Sequence, residues 1–417
     1  MIKFINDNIV FVGAARTPVG AYLGDLKTVK VQELGVIALT EAIKRSKLEK
    51  EDIDEVICGH VTGSQTTNNL GKIIGIDAGL PEKSTGMTVN RICGSGIQSA
   101  ICATLELLTG KKKVIAAGGA ESLSRAPYQL PEEIRFQGLR MGDSRLIDAN
   151  DEGHRTASGK NSGVNHMGNT AENVIRMLNI PREVQDQFAF DSQMKAKEAI
   201  ENGRFAQEIV PVEIKEKKGK VTIVSADGHP KPNTTLEALA NLKPVFEVDG
   251  CVTAGNASGL NDGAAFEIMT TETIAKEREL EIMGRVIDYA ITGIKPNIMG
   301  LGPVAAIEEV CNNNNLNLLE DIDILEINEA FAGQTLGCLM ELGIDLNSDF
   351  YKTKFNPHGG AVALGHPLGM SGARIITSIL YEFKNRPEIR YAIASACIGG
   401  GQGIALLIEN GYYNHGK

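Results

Sequence analysis

The sequence predicts an α/β fold built from two related halves, and two observations carry this prediction. The first is the alternation of strand-like and helix-like patterns from the start of the chain. Residues 9–13 have the apolar run of a buried strand, residues 31–46 have the spacing of an amphipathic helix, and residues 56–59 resemble a second strand. Such alternation is typical of an α/β fold whose sheet is largely buried.

The second observation is an internal repeat. The stretch Glu-Asp-Ile-Asp-Glu-Val-Ile at 51–57 resembles Glu-Asp-Ile-Asp-Ile-Leu-Glu at 320–326. The glycine turn at 94–96, which precedes a helix and a strand, has a counterpart at 370–372 that is followed by the same two elements. Two matches in the same order and at nearly the same offset indicate an internal duplication, and chance similarity between short α/β units is the alternative.

The repeat divides the chain into an N-terminal half, residues 1–285, and a C-terminal half, residues 286–417. Between about residues 121 and 249 the alternation gives way to polar sequence interrupted by Gly and Pro, which predicts an inserted loop domain in the first half. Inside this insertion we expect a helix from Pro181 through Ile200, because proline suits the first turn and Gly203 marks the end.

Composition and charge bound the class of function. The chain has 417 residues, 42% of them hydrophobic and 23% charged, as in an ordinary globular protein. A net charge of −10 argues against general nucleic-acid binding, which needs clustered Lys and Arg. No apolar run is long enough to cross a membrane, and the N-terminus lacks the basic flank of a secretion signal. We therefore expect a cytoplasmic protein with no membrane partner.

The cysteine pattern predicts neither a disulfide framework nor a metal site. The seven cysteines are scattered, odd in number and without a Cys-x-x-Cys pair, which fits a reducing compartment. Cys93 stands out because it precedes a long helical pattern in the stretch Asn-Arg-Ile-Cys-Gly-Ser-Gly. A helix that begins just after Cys93 directs main-chain N–H groups and a positive dipole end at the sulfur, which favours the thiolate. A role as a small buried hydrophobe is the alternative.

Three further residues suit the chemistry of a cysteine nucleophile. His366 precedes a proline, which biases it away from a helix, so its imidazole can act as a base from a loop. The last strand ends in Cys397, and the N–H groups of the following loop from Gly399 can bind an oxyanion. A phosphate cradle is the alternative for this loop, but no Gly-Lys-Ser/Thr follows. Asn328 follows a strand and can orient a water or simply cap a helix.

Together these stretches resemble the thiolase family, and the resemblance covers essentially the whole chain. The matching segments are 15–18, 90–96, 118–124 with 126–128, 166–173, 253–263, 328–332, 359–372 and 397–403. The resemblance implies a thiolase fold, which is a duplicated five-layer α/β/α/β/α arrangement with an inserted loop domain. It also implies an acyltransferase with acetyl-CoA C-acetyltransferase activity, which joins two acetyl-CoA into acetoacetyl-CoA and CoA or catalyses the reverse.

The same resemblance implies roles for the site residues. Cys93 takes the acyl group as a thioester, and His366 activates Cys93 and shares one oxyanion hole with a water held by Asn328. The N–H groups of Cys93 and Gly399 form a second oxyanion hole. Cys397 is the acid or base at the α-carbon of the second substrate. No metal and no cofactor is implied, because the CoA thioesters are themselves the substrates.

Residues along the CoA path are carried over from the family in the same way: His166, Met167, Lys231, Ala254, Ser258 and Phe331. The sequence departs from the family pattern at two points. Lys231 stands where many biosynthetic members have arginine, so a bidentate contact is replaced by a point charge. His358, in the pair Pro357-His358, stands where Val-Asn is usual, and it is either an extra titrating group or a side chain at a strand end.

Other functions remain open at this stage. A degradative 3-ketoacyl-CoA thiolase with longer substrates is the nearest alternative, suggested by residues 91–93 and by Asn356-Pro357. A decarboxylating ketoacyl synthase shares the fold and a nucleophilic cysteine, but that class has a Cys-His-His site. Cys397 in the final glycine-rich loop argues against this function. A non-catalytic CoA- or lipid-binding protein is disfavoured because every residue that the chemistry requires is present. Family members are dimers or tetramers, so we expect a homotetramer or homodimer.

Overall fold

The computed structural model describes residues 4–64, 66–159, 162–215 and 219–414. The strands are β1 (Ile9–Arg16), β2 (Gly20–Ala21), β3 (Glu55–Gly59), β4 (Thr85–Val89), β5 (Val114–Ser122), β6 (Tyr128–Gln129), β7 (Ile147–Asp148), β8 (Val212–Lys215), β9 (Val221–Val224), β10 (Asn261–Thr271), β11 (Gly284–Gly293), β12 (Ile322–Ile327), β13 (Tyr391–Ile398) and β14 (Gln402–Asn410). The α-helices are α1 (Val31–Ser46), α2 (Leu70–Asp77), α3 (Ser95–Leu108), α4 (Ile134–Gln137), α5 (Ala149–Thr156), α6 (Met167–Leu178), α7 (Arg182–Glu201), α8 (Leu236–Ala240), α9 (Glu272–Glu277), α10 (Gly302–Asn313), α11 (Leu318–Asp321), α12 (Ala332–Glu341), α13 (Ala361–Leu364) and α14 (Leu368–Asn385).

One large mixed sheet runs through the molecule in the order β12-β13-β14-β11-β1-β10-β5-β3-β4, with β2 beside β10. The β3/β4, β3/β5 and β12/β13 pairs are parallel, and the other pairs along this order are antiparallel. Every residue of β1, β3, β5 and β10 is buried. The alternation in the sequence therefore predicted the fold class and the burial of the sheet correctly.

The sheet repeats its own order, which confirms the internal duplication. In the first half β3, β5, β10 and β1 lie side by side, and in the second half β12, β13, β14 and β11 lie in the same succession. The two sets meet where Val10 and Phe11 of β1 pair with β11. The repeated stretches 51–57 and 320–326 lead into β3 and β12, which hold matching positions in their halves.

The helices complete five layers around the two halves of the sheet. The repeat-related helices α3 and α14 lie in the central layer, where their residues share one buried cluster with both halves of the sheet. They cross at a pair of equivalent glycines. A Cβ on Gly96 would collide with the main-chain nitrogen of Ala373, and a Cβ on Gly372 would collide with that of Ile97. Helices α1 and α2 cover the outer face of the first half, and α10 and α12 cover that of the second.

The segment between β5 and β10 corresponds to the expected insertion. Its described residues add no strand to the large sheet and form α4 to α8 with the small pairs β6/β7 and β8/β9. Pro181 is the N-cap of α7, and Gly203 just beyond the helix has a φ of +70°. Both observations agree with the predicted start and end of this helix. The domain boundaries near residues 121, 249 and 285 stay predictions.

Candidate active site

Cys93 lies in the turn between β4 and α3, and its neighbours hold that turn in a fixed shape. Ile92 has a left-handed φ of +46°, which is uncommon for a branched side chain. The Ser95 hydroxyl donates to the carbonyl oxygen of Ile92 at 2.7 Å and accepts from the Arg91 N–H at 2.9 Å. The main-chain N–H groups of Cys93 itself and of Gly399 lie near the sulfur of Cys93, where they act to lower the pKa of its thiol. The two N–H groups come from separate halves of the chain.

The charge state of Cys93 differs from the sequence-based expectation of a thiolate. Burial raises the pKa of the Cys93 thiol to about 11, and the two N–H donors offset this only in part, while the Glu121 carboxylate raises the pKa further. Desolvation opposes the charged form more strongly than the helix terminus favours it. The resting group near neutral pH is therefore a thiol.

His366 is held in one tautomer by its own helix. Its main-chain N–H donates to Asn261 Oδ1 at 2.8 Å, and its Nδ1 lies 2.6 Å from the hydroxyl oxygen of Ser371. Because the Ser371 hydroxyl donates to the carbonyl oxygen of Pro367 at 3.0 Å, it accepts from Nδ1–H. Nε2 is then the basic nitrogen, and it lies 3.4 Å from the amide nitrogen of Asn328.

The electrostatic surroundings keep the His366 imidazole uncharged. Burial lowers its pKa to about 3, and the charges of His154 and Arg374 add to this shift. The resting pair of Cys93 and His366 is therefore a neutral thiol and a neutral imidazole. Separated charges are costly in such a buried site, which favours this neutral pair in the free protein.

The pH dependence of Cys93 alkylation follows from these pKa shifts. We expect iodoacetamide to alkylate Cys93 of the free protein slowly near pH 7, with a rate that rises about tenfold per pH unit up to about pH 9, because only the thiolate reacts and its fraction grows below the pKa. Peptide mass spectrometry measures the rate at this residue. A rate that is already constant above about pH 6 would show a thiolate instead.

Ser371 is a positioning residue, since it orients His366 without reaching the pocket wall. We expect Ser371→Ala to slow acylation of Cys93 about tenfold, because loss of one buried hydrogen bond lets the imidazole change tautomer and orientation. Rapid-quench acylation measures the effect. Ser378→Ala is the matched control, because that α14 hydroxyl bonds Glu208 rather than His366. Equal acylation rates in the wild type and in Ser371→Ala would contradict the assignment.

Cys397 and the glycine turn lie at the end of β13. Cys397 is fully buried, and burial together with the nearby Cys93 sulfur raises its pKa well above the usual range. Gly400 and Gly401 have φ values of +86° and +85°, so the turn needs residues that tolerate the left-handed region. A Cβ on Gly399 would lie 3.1 Å from the sulfur of Met167. This close packing holds the Gly399 N–H at the Cys93 sulfur.

Asn328 carries an unused acceptor next to His366. Its main-chain N–H donates to Ser395 at 2.9 Å, which fixes it at the carboxyl end of β12. Its Oδ1 is buried and has no hydrogen-bond partner among the described residues. Buried acceptors are normally satisfied, so this oxygen is available to a donor from outside the described chain. The water-holding role of Asn328 stays a prediction.

A pocket of about 380 Å³ lies beside these groups, and Asn328, Cys397 and Gly399 are not part of its wall. Cys93, His366, Met167, Ser258 and Phe331 line it, as the sequence-based assignment requires. The other predicted CoA residues lie elsewhere. His166 caps α6 and stacks on Phe246 with ring centroids 4.8 Å apart, whereas Lys231 and Ala254 are exposed and lie outside the pocket wall. The roles of these last three residues stay predictions.

His358 belongs to an ion pair away from the pocket. Its Nε2 lies 2.7 Å from the Glu382 carboxylate, and its ring meets Phe205 edge-on. Burial raises the pKa of Glu382, but the hydrogen bonds and charges of His358 and Arg204 outweigh it and lower the pKa to about 2. The sequence left open an extra titrating group or a side chain at a strand end. The structure places His358 in a turn instead, where it pairs with Glu382 away from the pocket.

The pocket also contains residues that the sequence reasoning missed. Asn150 and His154 line it from α5, and Ser371 orients His366 from α14. The four-residue spacing of Asn150 and His154 would have placed both on one helix face, had the helix been recognised in polar sequence. Among the described residues no group of three or more His, Cys, Asp or Glu is arranged to hold a metal ion, and no helix is long and apolar enough to cross a membrane.

The comparisons with known proteins agree with this architecture. Two family models match the chain, "Thiolase, N-terminal domain" over residues 9–273 and "Thiolase, C-terminal domain" over residues 280–410. An acetyl-CoA acetyltransferase of Syntrophomonas wolfei is 43% identical over 401 residues, covering 96% of this chain and 98% of that protein. A duplicated α/β fold with a cysteine and a histidine in one pocket, and a second cysteine buried near the first, is the arrangement of a thiolase-type site. The chain belongs to the thiolase family.

Two solved structures are similar over nearly their whole length. The crystal structure of the Bacillus anthracis acetyl-CoA acetyltransferase is 41% identical with a TM-score of 0.92, and the match covers 98% of this chain and all (100%) of that one. The crystal structure of human mitochondrial 3-ketoacyl-CoA thiolase in complex with CoA is 38% identical with a TM-score of 0.90, covering 98% and 100%. Relatives with two different substrate ranges thus share this fold.

Proposed function

We propose that this protein is an acetyl-CoA C-acetyltransferase, which condenses two acetyl-CoA into acetoacetyl-CoA and CoA and also catalyses the reverse. One observation carries the proposal. Cys93 lines the same pocket as His366, and the main-chain N–H groups of Cys93 and Gly399 and a second buried cysteine, Cys397, lie near its sulfur. The relatives named acetyl-CoA acetyltransferase support it.

The first half-reaction transfers an acetyl group to Cys93. His366 Nε2 takes the thiol proton as the sulfur attacks the thioester carbon, and the N–H groups of Cys93 and Gly399 receive the negative charge of the carbonyl oxygen. Collapse of this intermediate breaks the bond to the CoA sulfur. The leaving thiolate takes the proton of Cys397, so that CoA departs as a thiol and Cys397 becomes a base.

The second half-reaction forms the carbon–carbon bond. The Cys397 thiolate removes an α-proton from a second acetyl-CoA, and protonated His366 with the water on Asn328 stabilises the enolate oxygen. The enolate carbon attacks the acetyl group on Cys93, and the bond to the Cys93 sulfur breaks. His366 returns its proton to Cys93, and the cycle closes without a metal or a cofactor.

The length of the acyl chain that the protein accepts is the property that tests this proposal. Thiolysis rates with acetoacetyl-CoA and with longer 3-ketoacyl-CoA substrates, together with condensation of acetyl-CoA, measure it in both directions. We expect acetoacetyl-CoA to be cleaved much faster than the longer substrates. Comparable rates on a long 3-ketoacyl-CoA would favour the second candidate, a degradative 3-ketoacyl-CoA thiolase, for which the human structural relative is the supporting observation. A homo-oligomer in the cytoplasm is part of the same proposal.

A further inference from the structure

Helix α5 lies across the pocket between two parts of the site. At its start, the Asn150 side-chain amide donates to the carbonyl oxygen of Leu123 at 2.9 Å, and Leu123 packs with Cys93 in one buried cluster. Beyond its end, the hydroxyl of Ser158 accepts from the Gly400 N–H at 3.2 Å. The side of α5 that faces the pocket is therefore fixed at both ends close to the reacting sulfur.

The ring of His154 is held in one orientation on this helix. Its Nδ1 lies 2.6 Å from the main-chain carbonyl oxygen of Asn150, which can only accept, so Nδ1 carries the hydrogen. The ring stacks on His166 with centroids 5.5 Å apart and planes 9° from parallel, and His166 stacks in turn on Phe246. In the neutral ring Nε2 is then an acceptor, and no described residue gives it a hydrogen bond.

Asn150 adds a second unused acceptor to the same wall. The residue is 7% exposed, and its Oδ1 is buried without a hydrogen-bond partner in the described chain. Asn150 and His154 are four residues apart, so they lie on one face of α5, and both line the pocket. A wall with two open acceptors is suited to a ligand that brings a hydrogen-bond donor, because an unsatisfied buried acceptor is costly.

Charged groups lie beside His154 on its own helix. Arg155, the next residue, pairs with the Asp151 carboxylate at 2.7 Å, and Glu152 lines the pocket. In its neutral form His154 offers Nε2 as an acceptor to a donor such as an amide N–H.

We propose that His154 contacts the substrate and helps to bind its CoA arm, with Nε2 accepting a hydrogen bond from the amide N–H nearest the thioester sulfur. This inference rests on the proposed function. That amide is separated from the sulfur by only two methylene groups, so it must enter the pocket when the thioester reaches Cys93. Every CoA thioester carries this donor, whereas a hydroxyl on the acyl group is a donor of only some substrates.

A pair of truncated thioesters tests the contact. S-acetyl-N-acetylcysteamine carries the amide N–H, and S-(2-acetoxyethyl) thioacetate replaces it with an ester oxygen. Acylation of Cys93 is followed by peptide mass spectrometry. For the wild type we expect the amide compound to acylate Cys93 about tenfold more efficiently than the ester, because one hydrogen bond contributes a free energy that corresponds to about this ratio. His154→Leu should reduce this ratio to about one while acetyl-CoA shows a raised KM and little change in kcat.

Two further variants separate substrate contact from a structural role. His154→Gln has an acceptor near the position of Nε2 and should keep the amide preference. His154→Asn reaches only as far as Nδ1, so it can still bond the Asn150 carbonyl but should lose the preference. If His154→Leu does not fold, as judged by its melting temperature, the glutamine and asparagine variants decide the question.

The outcomes that overturn the inference are distinct. A wild type that does not distinguish amide from ester, or a His154→Leu variant that still does, would refute the contact. A change confined to the ratio between hydroxyacetyl-CoA and acetyl-CoA would assign His154 to the acyl group instead. If neither truncated thioester nor acetyl-CoA acylates Cys93 in the wild type, the proposed function itself is overturned.

Discussion

Cys93→Ala is expected to abolish formation of the acyl-enzyme and to lower turnover by a factor on the order of 10⁴ or more. The reason is chemical, because alanine provides no atom that can hold the acetyl group between the two half-reactions. The remaining residues of the pocket would still bind substrate. Incubation with radiolabelled acetyl-CoA, followed by acid quench and filtration, measures the label that stays on the protein.

Cys102→Ala is the matched control for this variant. Cys102 lies on α3, the helix that begins just after Cys93, and its sulfur accepts from Gln98 at 3.2 Å, away from the pocket wall. We expect it to retain the label and nearly full turnover. Stable labelling of the Cys93→Ala protein would remove Cys93 as the nucleophile, and loss of labelling in Cys102→Ala would show that the effect is indirect.

Cys397→Ser is expected to separate the two half-reactions. Serine has nearly the same size as cysteine. Its hydroxyl is a much weaker acid than a thiol and stays protonated, so it cannot replace the thiolate as the base. Acylation of Cys93 should stay within about tenfold of the wild type, because a CoA thiolate is a good leaving group and can depart without the proton of Cys397. Condensation should fall on the order of 10³-fold, because it needs the Cys397 thiolate as the base. Rapid-quench labelling measures the first step, and formation of acetoacetyl-CoA measures the second.

Cys338→Ser tests whether this effect belongs to position 397. Cys338 is also fully buried and is one of the sulfurs whose charge influences Cys397, but its thiol bonds the carbonyl oxygen of Gly300 at 3.1 Å, and a serine can keep that bond. We expect nearly normal condensation from it. An equal loss of both half-reactions in Cys397→Ser would mean that this residue has a different role.

Much of the architecture could be predicted from local patterns. The helix after Cys93 and the strand that ends in Cys397 are long, periodic elements, and the structure has them as Ser95–Leu108 and Tyr391–Ile398. The repeat predicted that equivalent elements would recur, and the crossing of α3 and α14 at Gly96 and Gly372 shows its consequence. These features depend on residues close together in the sequence or on direct similarity.

The charge states and the pocket wall could not be predicted in this way. The helix terminus next to Cys93 is a local feature, but the burial that raises the pKa of its thiol comes from segments distant in sequence, among them Leu123 and Leu368. The tautomer of His366 depends on how α14 turns Ser371 towards it. His154 lies in a short helix of the polar insertion, and only its docking near Leu123 and Gly400 makes it part of the pocket.

A single-turnover experiment tests the central claim most directly. The protein is mixed with a limiting amount of acetyl-CoA, quenched at successive times and digested. Mass spectrometry measures the acetylation of the peptide that contains Cys93, and acetoacetyl-CoA is measured in parallel. We predict that an acetyl group appears on Cys93 first and then disappears at the rate at which acetoacetyl-CoA forms. Product formation with no acetyl group on Cys93, or an acetyl group found on Cys397 instead, would contradict the account.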